Sequence, residues 1–162
     1  MRLPYQILII PYKRDLEDFK FLILKRSDFN FWQWVSGGGE SEDDGAFNTV
    51  VRELREEINV SVKPEKIIRL ESRNTIFEDE PLKYKNKNIT VVPEYAFGVE
   101  LKEDEIKISK EHKEYRWVTK KEAERLLKYD SNKTALSELN KLIRKEVDGS
   151  WKIHWEEENK RN

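Results

Sequence analysis

The sequence predicts an α+β domain, or an α/β/α layered one, on three observations. Short apolar runs of strand character recur along most of the chain. Helical spacing is confined to three segments at non-alternating positions, which argues against a regular doubly wound sheet. The length of 162 residues suits one domain of ordinary size.

Taken in order, residues 5–11 (YQILIIP) and 19–24 (FKFLIL) read as two strands. The polar, charged stretch 13–18 between them predicts a β-hairpin or a neighbouring pair. An aromatic stretch, 29–35, runs into Ser36 and a glycine loop, Gly37, Gly38 and Gly39, followed by the acidic run 40–44 and Gly45. From residue 46 to 58 the pattern turns helical, because Phe47, Val51, Leu54 and Ile58 recur at spacings of four, three and four. Asn59 is a natural stop, since Asn tolerates the left-handed conformation. Strands are then expected at 66–72, 89–92, 94–101 and 115–118, with Pro93 at an edge or a bulge and a long polar loop over 77–88. Thr119 with Glu122 makes a capping box for a helix through Leu127, and a last helix covers 133–146. The main domain is taken as 1–147, followed by an aromatic and charged tail, 148–162.

Composition excludes several classes of function. The chain carries 31 basic and 32 acidic residues, a net charge of −1, so a strongly basic binder of nucleic-acid polymers is not expected. Cysteine is absent, which removes thiolate chemistry and disulfides, and the two histidines make a multi-histidine metal site improbable. No apolar run approaches the roughly 20 residues that span a bilayer. A cytoplasmic protein without a membrane partner is the expectation.

The acidic helix holds the chemistry. At about 100° per residue, Glu53, Glu56 and Glu57 share an arc of about 100°, away from the apolar stripe. Three like charges so close repel one another. A hard divalent cation reverses that sign, since Mg²⁺ takes oxygen ligands and bridges carboxylates to phosphates. A solvated charged face, helped by an Arg52–Glu56 pair at i,i+4, is the plain alternative. Three glycines ahead of the helix count against it, because their entropic cost makes sense where the backbone bends sharply or approaches something closely.

Residues 37–60, GGGESEDDGAFNTVVRELREEINV, resemble the Nudix box, G-x5-E-x7-R-E-U-x-E-E-x-G-U, where U is a bulky aliphatic residue. Gly38, Arg52, Glu53, Leu54, Glu56, Glu57 and Val60 match in register. Asp44 stands where the family usually has Glu, Asn59 where it has Gly, and Asp43 where a Gly usually precedes the acid. Trp32-Gln33 ahead of Ser36-Gly37-Gly38, and Glu111-His112 ahead of Tyr115-Arg116-Trp117-Val118, resemble runs of a subgroup that includes dihydroneopterin triphosphate pyrophosphatases, also called dATP pyrophosphohydrolases.

The resemblance implies the Nudix α/β/α sandwich, a mixed β-sheet flanked by helices, and a Mg²⁺-dependent pyrophosphohydrolase, with Mn²⁺ as an alternative metal. The substrate would be a small nucleotide or diphosphate compound, dATP-like or dihydroneopterin triphosphate-like, and the chain a monomer or homodimer. It implies Glu53, Glu56 and Glu57 as metal ligands, with the Gly37 carbonyl as a further one and Arg52 orienting Glu53 or Glu56. Glu111 would be a fourth carboxylate, as ligand or base, and Gly38 and Asp44 would support the loop. A non-catalytic Nudix-fold binding or regulatory module is the alternative. Trp32, Trp34, Phe77 and Arg26 are candidate substrate contacts. Tyr95, Lys25, Arg69 and Arg73 are others of the same kind, and His112 could meet a phosphate or be a satisfied histidine.

Overall fold

The computed structural model describes residues 1–79, 84, 88–102 and 105–148. The two N-terminal runs form β1 (Arg2–Asp15) and β2 (Asp18–Arg26), an antiparallel hairpin closed by Leu16 and Glu17. β1 is long enough to serve two neighbours on one side. Its end near Tyr12 pairs with β2, and its start pairs antiparallel with β4 (Val35–Glu40). On the other side it runs parallel to β6 (Val91–Glu100), which pairs antiparallel with β5 (Ile67–Phe77). β3 (Trp32–Gln33) and β7 (His112–Val118) complete the mixed sheet against β2.

Among the described residues, three α-helices cover it: α1 (Ala46–Ile58), α2 (Lys120–Leu126) and α3 (Asp130–Asp148). Period-two alternation along β1 divides the apolar side chains between the faces. Ile7 and Ile9 join Val50, Leu54 and Ile58 of α1, while Leu8 and Ile10 join Leu136, Leu139 and Ile143 of α3. Leu54 and Ile58 are fully buried, so cutting either to Ala costs about 2–5 kcal/mol. The chain is thus an α/β/α sandwich of α+β type, as expected.

Three local expectations need correction. The glycine run is no loop: Gly37 and Gly38 sit in β4, opposite Ile7 and Gln6 of β1. Strands 89–92 and 94–101 are one strand, β6, containing Pro93. Pro93 faces Thr75 of β5, and the β1 ladder begins only at Glu94, so the missing N–H disrupts no ladder on that side. β5 runs on to Phe77, five residues past the expected strand. The helix boundaries follow local chemistry closely. Asn59 closes α1 in the left-handed region at φ 58°, and Thr119 and Glu122 form the capping box of α2. Residues 149–162 of the proposed tail lie outside the described residues.

Candidate active site

Asp44 at φ 55° and Gly45 at φ 110° turn the chain from a short 3₁₀ turn (Ser41–Asp43) into α1. At Gly45 a side chain would be strained, which accounts for this glycine. The turn brings Asp43 under Arg52. Arg52 Nε donates to Asp43 Oδ1 at 2.7 Å and Nη2 to Oδ2 at 3.0 Å, a bidentate pair. The Glu40 N–H and the Thr49 hydroxyl add donations to Oδ2 at 2.9 and 2.8 Å. Burial works against the charged carboxylate, but these donors hold Asp43 down at about 2. Asp44 is exposed and takes no part in that network.

From this anchor Arg52 reaches forward. Nη2 donates to the Gly38 carbonyl at 2.7 Å, and Nη1 to Glu53 Oε1 at 3.0 Å and Glu56 Oε2 at 3.1 Å. One guanidinium therefore ties the loop, the β4 backbone and two helix carboxylates together. A Cβ on Gly37 would lie 2.1 Å from Glu53 Cδ, so this glycine exists because the carboxylate lies on the strand. Glu53 is 6% exposed. Burial first, and then Glu56 and Glu57, push it up to about 7 against the pull of Arg52. Such a carboxylate is short of positive charge.

Glu57 meets the same burial with two hydrogen-bond partners. Its Oε2 lies 2.7 Å from His112 Nε2 and accepts from the Ser109 hydroxyl at 2.9 Å. Burial opposes the charge, yet these two bonds hold Glu57 below the usual carboxylate range. His112 is buried with its ring bonded to Glu57, which is the satisfied-histidine alternative that the sequence left open. Glu111 is exposed beside them, and Glu57, Glu111 and His112 each offer a ligand atom within 4.8 Å of the others. The Ser27 N–H donates to the Glu111 carbonyl at 2.8 Å, tying that segment to the end of β2.

The remaining candidates disperse. Trp34 is fully buried, with its Nε1–H donating to the Asn132 carbonyl at 3.0 Å, and is a core residue unable to touch substrate. Trp32 is 6% exposed in the same core, with Arg116 and Lys25 over its ring. Phe77 is exposed at the end of β5. Arg26 lies next to the carboxylates but is engaged bidentately by Asp28 at 2.8 and 2.7 Å. Arg69 and Arg73 both lie over Tyr95. Sequence reasoning did not find the contacts of Asp43 and Ser109. The only signal for Asp43 was an acid displaced by one position into the usual glycine.

A sandwich carrying an Arg-braced row of carboxylates against a strand glycine defines a class. The NUDIX domain model matches residues 3–139, and the chain belongs to that family, hydrolases acting on phosphorus-containing anhydrides. A dihydroneopterin triphosphate diphosphatase of Haemophilus influenzae is 32% identical over 134 residues, 80% of this chain and 83% of the relative. That of Escherichia coli K12 is 28% identical over 139 residues, 83% and 91% of the two chains. Among solved structures, a protein described as a NUDIX hydrolase from Listeria monocytogenes superposes with TM-score 0.76 at 37% identity, covering 89% of this chain and 97% of its own. The E. coli dihydroneopterin triphosphate pyrophosphohydrolase gives 0.70 at 29%, covering 86% and 96%. No described helix is long and apolar enough to cross a membrane.

Proposed function

We propose that the protein is a Mg²⁺-dependent pyrophosphohydrolase that cleaves a diphosphate linkage in a nucleoside triphosphate or related nucleoside diphosphate derivative, dATP-like or dihydroneopterin triphosphate-like. The observation that carries this reading is the geometry of the helix row, with Glu53 buried against Gly37 and braced with Glu56 by Arg52. Glu53, buried and held near pH 7 by burial and by Glu56 and Glu57, calls for a cation that the described residues supply only through Arg52. The donor set is carboxylate oxygen, which suits hard Mg²⁺, or Mn²⁺, better than a soft metal. Glu53, Glu56, Glu57 and Glu111 would hold the ion, with the Gly37 carbonyl as a further ligand. When bound, the ion would neutralise charge building on the diphosphate oxygens.

The protein's own part is preorganisation. Arg52 fixes the directions of Glu53 and Glu56. His112 and Ser109 both bond Glu57 Oε2, which leaves Oε1 outside those two bonds. Glu111, exposed and within 4.8 Å of Glu57 and His112, would serve as ligand or as base for the attacking water. The names of the H. influenzae and E. coli relatives support a triphosphate substrate. A non-catalytic module has its sole support in the Asp44 departure, and Asp43 supplies the carboxylate that braces Arg52.

The test is incubation with dATP and with dihydroneopterin triphosphate, with and without Mg²⁺. Pyrophosphate release only with the metal is the expected result. Orthophosphate as sole product, or no metal dependence, overturns the reading.

A further inference from the structure

On the sheet face opposite α1 lies a cavity of about 300 Å³, lined by Gln6, Gln33, Ser36, Asn74, Glu94 and Tyr129 among others. Small-molecule sites start at roughly that size. A smaller recess of about 110 Å³ shares Glu94, Asn74 and Leu8 with it. Glu94 is 8% exposed, in register with Gln6 of β1 and Asn74 of β5. Burial raises its carboxyl above the ordinary value, opposed only by a hydrogen bond from Asn74, and no cation of the described residues forms an ion pair with it. A buried carboxyl in a polar cavity without a cationic partner is costly unless something brings donors to it.

The cavity and the carboxylate site meet β4 at adjacent residues. Successive residues of β4 point to opposite faces. Ser36 lines the cavity, while Gly37, the next residue, lies against the Glu53 carboxylate. β4 pairs only with β1 among the described strands, so its other edge is unpaired. A ligand seated in the cavity would pass its chain over that edge to reach the carboxylates.

We infer that Glu94, supported by Asn74, is a specificity-determining residue that selects substrates whose heterocycle presents a 2-amino-4-oxo-pyrimidine edge. That edge, shared by guanine and pterins, offers a ring N–H and an exocyclic NH₂ side by side, and one carboxylate accepts both. Adenine offers a single amine beside a ring acceptor, which an amide matches better than a carboxylate. This inference rests on the proposed function for the direction of the phosphate chain alone.

Binding of guanosine 5′-monophosphate and adenosine 5′-monophosphate, measured by calorimetry, tests it without turnover because neither carries an anhydride. The native chain is expected to bind the guanosine compound at least tenfold more tightly. Glu94→Gln, nearly isosteric, is expected to lose at least tenfold in that affinity while affinity for the adenosine compound holds or rises. A parallel measurement of kcat/KM for dGTP and dATP with Mg²⁺ should follow the same order. Equal binding of the two monophosphates by the native chain overturns the inference, and needs no variant to fold. Unchanged binding by a folded Glu94→Gln protein also overturns it. Absence of hydrolysis with the binding preference intact overturns the proposed function and leaves the inference standing.

Discussion

Asp43 grips Arg52 through both carboxylate oxygens, at 2.7 and 3.0 Å, while Asp44, the residue in register with the family's acid, faces solvent. Asp43 supplies the brace one residue before the position that the motif leads one to expect. The left-handed turn at Asp44 and Gly45 makes that placement workable, because it carries Asp43 back beneath the helix.

Asp43→Asn should therefore cost stability and activity together. The native carboxyl titrates at about 2 in the folded state against an ordinary 3.8. A depressed folded value means that the stabilisation is present above pH 4 and is lost as pH falls towards 2. At pH 7 the variant should be less stable by about 2 kcal/mol, and the gap should close near pH 2. Urea unfolding across that range measures it. A constant gap would remove the ionic origin.

Asp44, by contrast, should tolerate change. Asp44→Glu is expected to alter turnover within about tenfold, or 1.4 kcal/mol. Asp44→Asn, which suits the left-handed region equally, should behave alike. Large rescue by Glu in a Mg²⁺-dependent pyrophosphate assay would assign the bracing role to this position.

Glu53 and Glu57 should separate in stability while agreeing in activity. Either change to Gln is expected to lower turnover at least about 10²-fold, roughly 2.7 kcal/mol. Without metal, Glu53→Gln should stabilise, because the native group is raised to about 7. A raised acid loses stability as pH climbs from 4.5 to 7, so the gain appears at pH 8, at most about 3 kcal/mol, and vanishes by pH 4.5. Glu57→Gln should not stabilise, since His112 and Ser109 favour its charged form. Relief of like-charge repulsion, expected from the helix spacing at all three acids, belongs to Glu53. Thermal melts in chelator at the two pH values separate the variants.

Gly37→Ala places a methyl group on the Glu53 carboxyl. Because that carboxyl ends a flexible side chain, the fold should survive and Glu53 should move. Turnover is expected to fall at least about 10²-fold, with melting in chelator within a few degrees of native. Full activity would dissociate the glycine from the carboxylate.

Magnesium should raise the melting temperature of the native chain by binding the folded state alone. The shift should shrink in Glu53→Gln and Glu57→Gln. An equal shift in all three would place the ion elsewhere.

Local chemistry was enough to read α1, its Asn59 stop, the α2 capping box, the opening hairpin and the carboxylate row, because each depends on residues within a few positions of one another. A helix repeats every 3.6 residues, and a motif that rides on it shares that short range. Tertiary structure decided the rest. Gly37 to Gly39 form a strand because β1 lies beside them and Glu53 lies on them, and neither partner is near in sequence. His112 meets Glu57 across 55 residues, and Asn74 meets Glu94 across two strands. Trp34, an apt ring for a ligand in sequence, is buried by α3. Burial and cross-strand register are properties of the folded chain, and the charge that Glu53 carries at neutral pH depends on both.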